Sequence, residues 1–163
     1  MSITHVDHVL IAVTDLDEAA KQYERLGFHI TEGGTHPGLG TANRLAVLDT
    51  GYLELIAVRD KAAAWPELVR HLEQFGQGLF SFAFASDDLD ADVEGFRSRA
   101  AAKLTSLTIE EPREGVLETP GGKRRGWRKA DVSGGNGVNP FLIRHDQDGE
   151  ALRNRLFGDR PPQ

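Results

Sequence analysis

One arrangement of residues occurs twice in this chain and constrains its fold more than any other feature. In residues 7–28, DHVLIAVTDLDEAAKQYERLGF, His8, Leu10 and Ala12 alternate with Val9, Ile11 and Val13, so the two sets face opposite sides of a pleated strand. Asp15 stands where a helix N-cap belongs, and Glu18 completes a capping box three residues on. Leu16, Ala20, Tyr23 and Leu26 share one helical face, and Gly27 supplies a left-handed stop. At an offset of 73 residues the same order returns in FSFAFASDDLDADVEGFRSRA, residues 80–100. Ala12 meets Ala85, Asp15-Leu16-Asp17 meets Asp88-Leu89-Asp90, and Tyr23 meets Phe96. So long a period marks a duplicated supersecondary module, not a solenoid repeat.

The segments after each copy extend the repeat. Phe28 to Glu32 reads as a short strand ended by Gly33-Gly34, and residues 35–43, THPGLGTAN, read as a loop. RLAVLD (44–49) and YLELIAV (52–58), separated by Thr50-Gly51, read as an antiparallel hairpin. A linker follows, holding a helix that opens at Trp65-Pro66 and has Leu68, Leu72 and Phe75 as its apolar face. In the second half, Leu79 to Ala85 is an apolar strand expected to be buried on both faces, and Leu89 to Ala102 is a helix. Thr105 to Glu110 is a strand, Pro112 to Gly122 a loop, and Lys123 to Val132 a strand. The last strand lies in Val138 to His145, where Pro140 argues for a late start or an edge. The predicted organisation is a first strand-helix-three-strand module over residues 1–60, a linker helix over 61–78, a second module over 79–147, and a C-terminal helix (Gly149 to Phe157) and tail over 148–163.

With 163 residues, the two halves suffice for one domain sharing a core. The net charge of −6 argues against a general nucleic-acid binder. The absence of cysteine excludes disulfides, thiolate ligands and a cysteine nucleophile. MSITHVDHV has neither the basic region nor the apolar core of a secretory signal, and no apolar run approaches the ~20 residues that span a bilayer, so a cytoplasmic protein without membrane partners is expected.

A few polar residues stand out against this scaffold. Glu54 lies inside an apolar strand, on the face it shares with Tyr52 and Ile56, and a carboxylate there is costly to bury unless something pairs it. A cation or a hydrogen-bonded ligand would do so, as would Arg44 across the hairpin; exposure on a strand face is the other alternative. His36 and Asn43 flank the Gly-rich loop, which is no phosphate fingerprint, and either Asn43 or Arg44 is expected to point inward at the entrance of its strand. Residues 123–129, KRRGWRK, form one basic stretch, with Arg125 and Trp127 on one face and Arg124 and Arg128 on the other. A cation beside an aromatic ring suits a carboxylate or an aromatic acid; a solvated strand face is the plainer reading.

Residues 7–28, the GTANR stretch (40–44) and YLELIAV (52–58), set in the doubled strand-helix-three-strand plan, resemble the vicinal oxygen chelate superfamily, and most closely its glyoxalase-like branch. The resemblance implies an α+β fold of two tandem βαβββ modules forming a curved, mixed sheet with a cupped cleft. It implies a small-molecule partner, frequent homodimers and, in metal-dependent members, one divalent ion such as Mg, Mn, Ni or Zn. Carried over, His8 matches the first metal ligand and Glu54 the second. In the second half the equivalent positions are Ser81 and Phe141, so the usual four-ligand site is not written in this sequence. Four alternatives stand: substrate completes a metal site; His36, Glu118, Asp131 or His145 swings in; His8 and Glu54 form a metal-free acid–base pair; or the cup is a plain pocket. The expected function is a glyoxalase-like lyase or isomerase step on a small oxygenated molecule, with His8 and Glu54 catalytic and His36, Asn43, Arg44, Tyr52 and Trp127 contacting substrate. A non-catalytic pocket for a small hydrophobic compound is the alternative.

Overall fold

The structure, a computed structural model, describes residues 2–103, 105–135, 138–146 and Ala151. The first module runs β1 (Ile3–Ala12), α1 (Leu16–Arg25), β2 (Gly34–His36), a 3-10 turn at Pro37–Leu39, β3 (Thr41–Leu48) and β4 (Gly51–Val58). Helix α2 (Pro66–Phe75) links it to β5 (Gly78–Ser86), α3 (Leu89–Ala102), β6 (Thr108–Ile109), β7 (Arg113–Glu118), β8 (Arg124–Ser133) and β9 (Phe141–His145). The expected C-terminal helix and tail lie, Ala151 apart, outside the described residues.

The two halves join through their first strands. β1 and β5 pair antiparallel, with Leu10 opposite Ser81, and each carries its module's last strand, β4 or β9, parallel on its other side. β3 and β8 then add antiparallel, followed by β2 and β7. β2 and β7 meet each other at Thr35 and Glu118, so the curved sheet closes into a cup, with β6 appended to β8. The result is the α+β architecture of two tandem βαβββ modules.

Strand alternation sorts the layers. Leu55 and Ala57 of β4 face outward under Ala19 of α1, with Leu16 and Tyr23 packed beside them. Leu89 and Val93 of α3 cover Ala130, Val132 and Leu142 in the same way. The opposite set, Leu10, Ile56, Ala83, Phe141 and Ile143, lines the inside of the cup, and the wholly buried Leu68 of α2 packs against it. Asp15 caps α1, accepting from the N–H groups of Asp17 and Glu18.

Several expected boundaries differ. The strand expected over Phe28–Glu32 is a single bridge from Ile30 to Ala46, and the true β2 lies inside the supposed loop. Gly34, read there as a breaker, serves the seam: a Cβ on it would stand 2.5 Å from the Glu118 carbonyl oxygen of β7. Likewise β7 occupies most of the supposed loop Pro112–Gly122, and the strand expected over Thr105–Glu110 shrinks to β6. Leu26 (74% exposed) and Phe75 (75% exposed) end their helices instead of joining the apolar faces. Strand β5 is not buried throughout, since Leu79 is 50% exposed. Both edges of β5 are paired within the chain, so this strand offers no edge to a second copy.

Candidate active site

The site begins with an irregularity in β1. Val6 opposes Phe84 and His8 opposes Ala83, so Asp7 is an extra residue, a β-bulge. Strict alternation would send Asp7 and His8 to opposite faces; here both are buried and in contact. The His8 Nδ1–H lies 2.6 Å from Asp7 Oδ1, which also receives His145 Nε2 at 3.2 Å. Burial by itself would raise the Asp7 pKa, but the hydrogen bonds from His145 and His8 outweigh it and hold the carboxyl well below its ordinary range. The His8 ring is stacked on Tyr52 (centroids 4.5 Å apart, 9° between planes) and packs edge-to-face with Phe141, centroids 5.5 Å apart. Burial, then the charges of Asp7 and Glu54, keep the Tyr52 phenol protonated far above its usual pKa.

With Nδ1 committed to Asp7, His8 turns Nε2 toward Glu54 Oε2, 3.4 Å away. Glu54 Oε1 accepts 2.9 Å from Asn43 Nδ2, and the Asn43 amide is itself oriented by the Gly34 N–H donating to its Oδ1 at 3.0 Å. His36 completes the group: its Nδ1 is 2.9 Å from Thr41 Oγ1 and its Nε2 is 3.9 Å from Glu54 Oε1. Desolvation lowers the His36 pKa, which favours the neutral ring. Its ring stands perpendicular to that of Trp127, with centroids 5.5 Å apart. Glu54 is thus buried among polar partners, as its cost of burial requires.

His8, Glu54, His36, Asn43, Tyr52 and Trp127 all line one inner chamber of about 70 Å³. Arg44 does not: it points outward from β3 and binds Asp17 and the Glu32 carbonyl, because its neighbour Asn43 takes the inward place. Among the other ligand candidates, His145 lines the chamber and bonds to Asp7, Glu118 pairs with Arg124 on the outside, and Asp131 pairs with Arg113 and Lys129. Beyond the chamber opens a cleft of about 1180 Å³; Leu39, Trp65, Trp127 and Lys129 line both spaces.

Sequence reasoning missed Asp7 and Lys129 as members of the site. Lys129 extends the inward row Arg125–Trp127 by one more step of two, and that spacing was the available signal. For Asp7 the only signal was a second polar residue beside His8 at the mouth of an apolar strand; nothing local marks the bulge. Burial lowers the Lys129 pKa, with the Asp131 carboxylate opposing the fall.

The donor set does not fit a four-ligand metal. On the second-half wall, the Ser81 hydroxyl donates to the Asn139 carbonyl oxygen at 2.8 Å, Phe141 has no donor atom, and the Lys129 ammonium faces the same space. Among the described residues, no group of three or more His, Asp or Glu side chains is arranged to hold a metal ion.

A cup of this kind, built by doubled βαβββ modules with a His–Glu pair on the first and last strands of the first module, belongs to the vicinal oxygen chelate class. A family model described as a glyoxalase-like domain matches residues 6–159, and the chain belongs to that family. The fold is shared with a hypothetical protein from Staphylococcus aureus (TM-score 0.72, 16% identity), aligned over 94% of this chain and 63% of that one. It is shared with methylmalonyl-CoA epimerase from Streptomyces coelicolor in complex with 2-nitronate-propionyl-CoA (TM-score 0.66, 24% identity, 87% of this chain and 97% of that one). The Mycobacterium tuberculosis epimerase aligns at TM-score 0.65 and 24% identity, over 87% of this chain and 88% of that one. No curated protein matches the sequence.

Proposed function

We propose that this protein is a proton-transferring isomerase of a small oxygenated molecule, working without a metal ion. The buried Glu54 carboxylate carries this reading: Asn43 fixes one oxygen and the other faces His8, which Asp7 orients. In the step envisaged, Glu54 takes a proton from a carbon next to a carbonyl. The C–H bond breaks, its electron pair moves onto the carbonyl oxygen, and an enolate forms. Return of the proton from Glu54 to a neighbouring carbon completes an isomerisation; delivery of a solvent proton to the opposite face of the same carbon, while Glu54 passes the abstracted proton on, completes an epimerisation. His8 exchanges protons with Glu54 across the 3.4 Å gap and so resets it between steps. The solved neighbours that are epimerases support this class of reaction. Asp7 and Tyr52 hold His8, and His36 is a neutral hydrogen-bonding group above the carboxylate. We place the protein in the cytoplasm, in keeping with its lack of cysteine.

The test is solvent-deuterium incorporation into a panel of 2-keto and 2-substituted acids and their thioesters, followed by mass spectrometry. Incorporation should persist after exhaustive chelation. It should fall about 100-fold or more in Glu54→Gln, the span of a lost general base. Activity abolished by chelator and restored by Mn or Ni would sink the metal-free mechanism. The large outer cleft favours one other reading, a pocket that only sequesters a ligand. Tight binding of compounds with no exchange in any of them would select it.

A further inference from the structure

Lys129 is placed to hold an anion in the cup. The residue is 4% exposed and lies on the wall that carries Ser81 and Phe141, where a metal-dependent cup would need its remaining ligands. Its Nζ sits 4.0 Å over the Trp65 ring and 4.6 Å over the Phe141 ring. Aromatic faces stabilise an ammonium without using its donor hydrogens. Asp131 Oδ1 takes one of these at 3.0 Å; the other oxygen of Asp131 is bound by Arg113, which pairs with Glu110 as well. Asp131 thus occupies one of the three ammonium hydrogens, and the others are left to the cup that Lys129 lines. Lys129 also stands at the junction of the 70 Å³ chamber and the 1180 Å³ cleft, beside Trp65 and Trp127.

We propose that Lys129 is the anion-binding group of the cup, in place of a metal ion, and that its ligand is a small carboxylate or enolate head on a larger apolar body. The head fits the inner chamber, within reach of Glu54; the body lies in the outer cleft between the two tryptophans. A chamber of this size takes only a few heavy atoms, so the body has to remain outside. This inference names the substrate class for the reaction proposed above and rests on that reading of the cup. It needs no proton transfer and is tested by binding alone.

The experiment compares phenylacetate with its neutral counterpart phenylacetamide. Binding is followed by calorimetry and by tryptophan fluorescence, since the chain's two tryptophans, Trp65 and Trp127, both border the site. The full-length wild type should bind phenylacetate at least about tenfold more tightly than the amide, the scale of one charge-assisted hydrogen bond. Lys129→Met should bind both equally, while Arg44→Gln, outside the cup, should keep the preference. Lys129→Gln, checked by its thermal melt, serves if the Met variant does not fold. Equal binding of the pair by the wild type, or no binding of either, overturns the proposal. A preference that survives in Lys129→Met, or one lost only in Arg125→Gln, overturns it too. Deuterium exchange without an anion preference defeats this assignment and spares the isomerase reading; an anion preference without exchange does the reverse.

Discussion

At the residue scale, the site is a chain of oriented polar groups in which each link is fixed by a backbone or side-chain partner. Asn43 shows how tightly this is specified. Its oxygen takes the Gly34 N–H and its nitrogen serves Glu54, so both ends of the amide are committed. Asn43→Asp keeps the first contact but sets a second carboxylate against Glu54 in a buried site. Two such charges do not share a site unless one takes a proton. The variant should lose about 3 kcal/mol at pH 8, the scale of an uncompensated buried charge, and recover part of it at pH 5. Urea unfolding at the two pH values measures this; a loss independent of pH would refute it. Arg44, one position along, needs no such care: its partner Asp17 is largely exposed, and surface pairs of that kind contribute little.

At the element scale, helix α3 is tied to the start of β1 by a buried carboxylate. Asp92, 1% exposed in the first turn of the helix, accepts from the Ser2 N–H (2.7 Å), Ser2 Oγ (2.8 Å) and Ser86 Oγ (2.8 Å). Burial pulls its pKa up, but these bonds outweigh burial and hold it below the usual 3.8. On acidification the unfolded chain therefore takes up this proton before the folded one does. The stabilisation is complete above the unfolded value and is lost as pH falls through the folded one. Asp92→Asn should lower Tm by about 5 °C at pH 7, which corresponds to about 2 kcal/mol for a domain of this size. The gap should narrow between pH 4 and pH 2. Thermal melts across that range check it, and a constant gap would exclude an ionised Asp92 as the tie.

At the scale of the whole molecule, the closed sheet has a strong axis and a weak seam. β1 and β5 pair over most of their lengths and each is flanked by a parallel partner, whereas β2 has three residues and meets β7 at one pair. Amides at the centre of β1 should exchange with solvent only when the molecule unfolds, and those of Gly34–His36 by local opening, orders of magnitude sooner. Residue-resolved hydrogen exchange tests this. Protection of β2 equal to that of β1 would mean that the cup opens only as a unit.

Much of this could be read from residues alone. The period-two strands, the Asp15 and Asp88 caps and the 73-residue repeat are local signals, since alternation and capping act over a few residues. They carried the fold, the inward placement of His8 and Glu54, and the shared face of Arg125 and Trp127. What only the tertiary structure decided depends on contacts between residues distant in sequence. The extra residue at Asp7 exists only in register with Phe84 and Ala83, and it is what turns two acid–base groups to the same side. Gly34 has no room for a Cβ because the Glu118 carbonyl of β7, 84 positions away, closes against it. Lys129 faces an aromatic box and Glu54 instead of solvent because the second module closes over the first. Local propensity cannot report such placements, since the free energy that selects them is released only when the two halves of the sheet pack together.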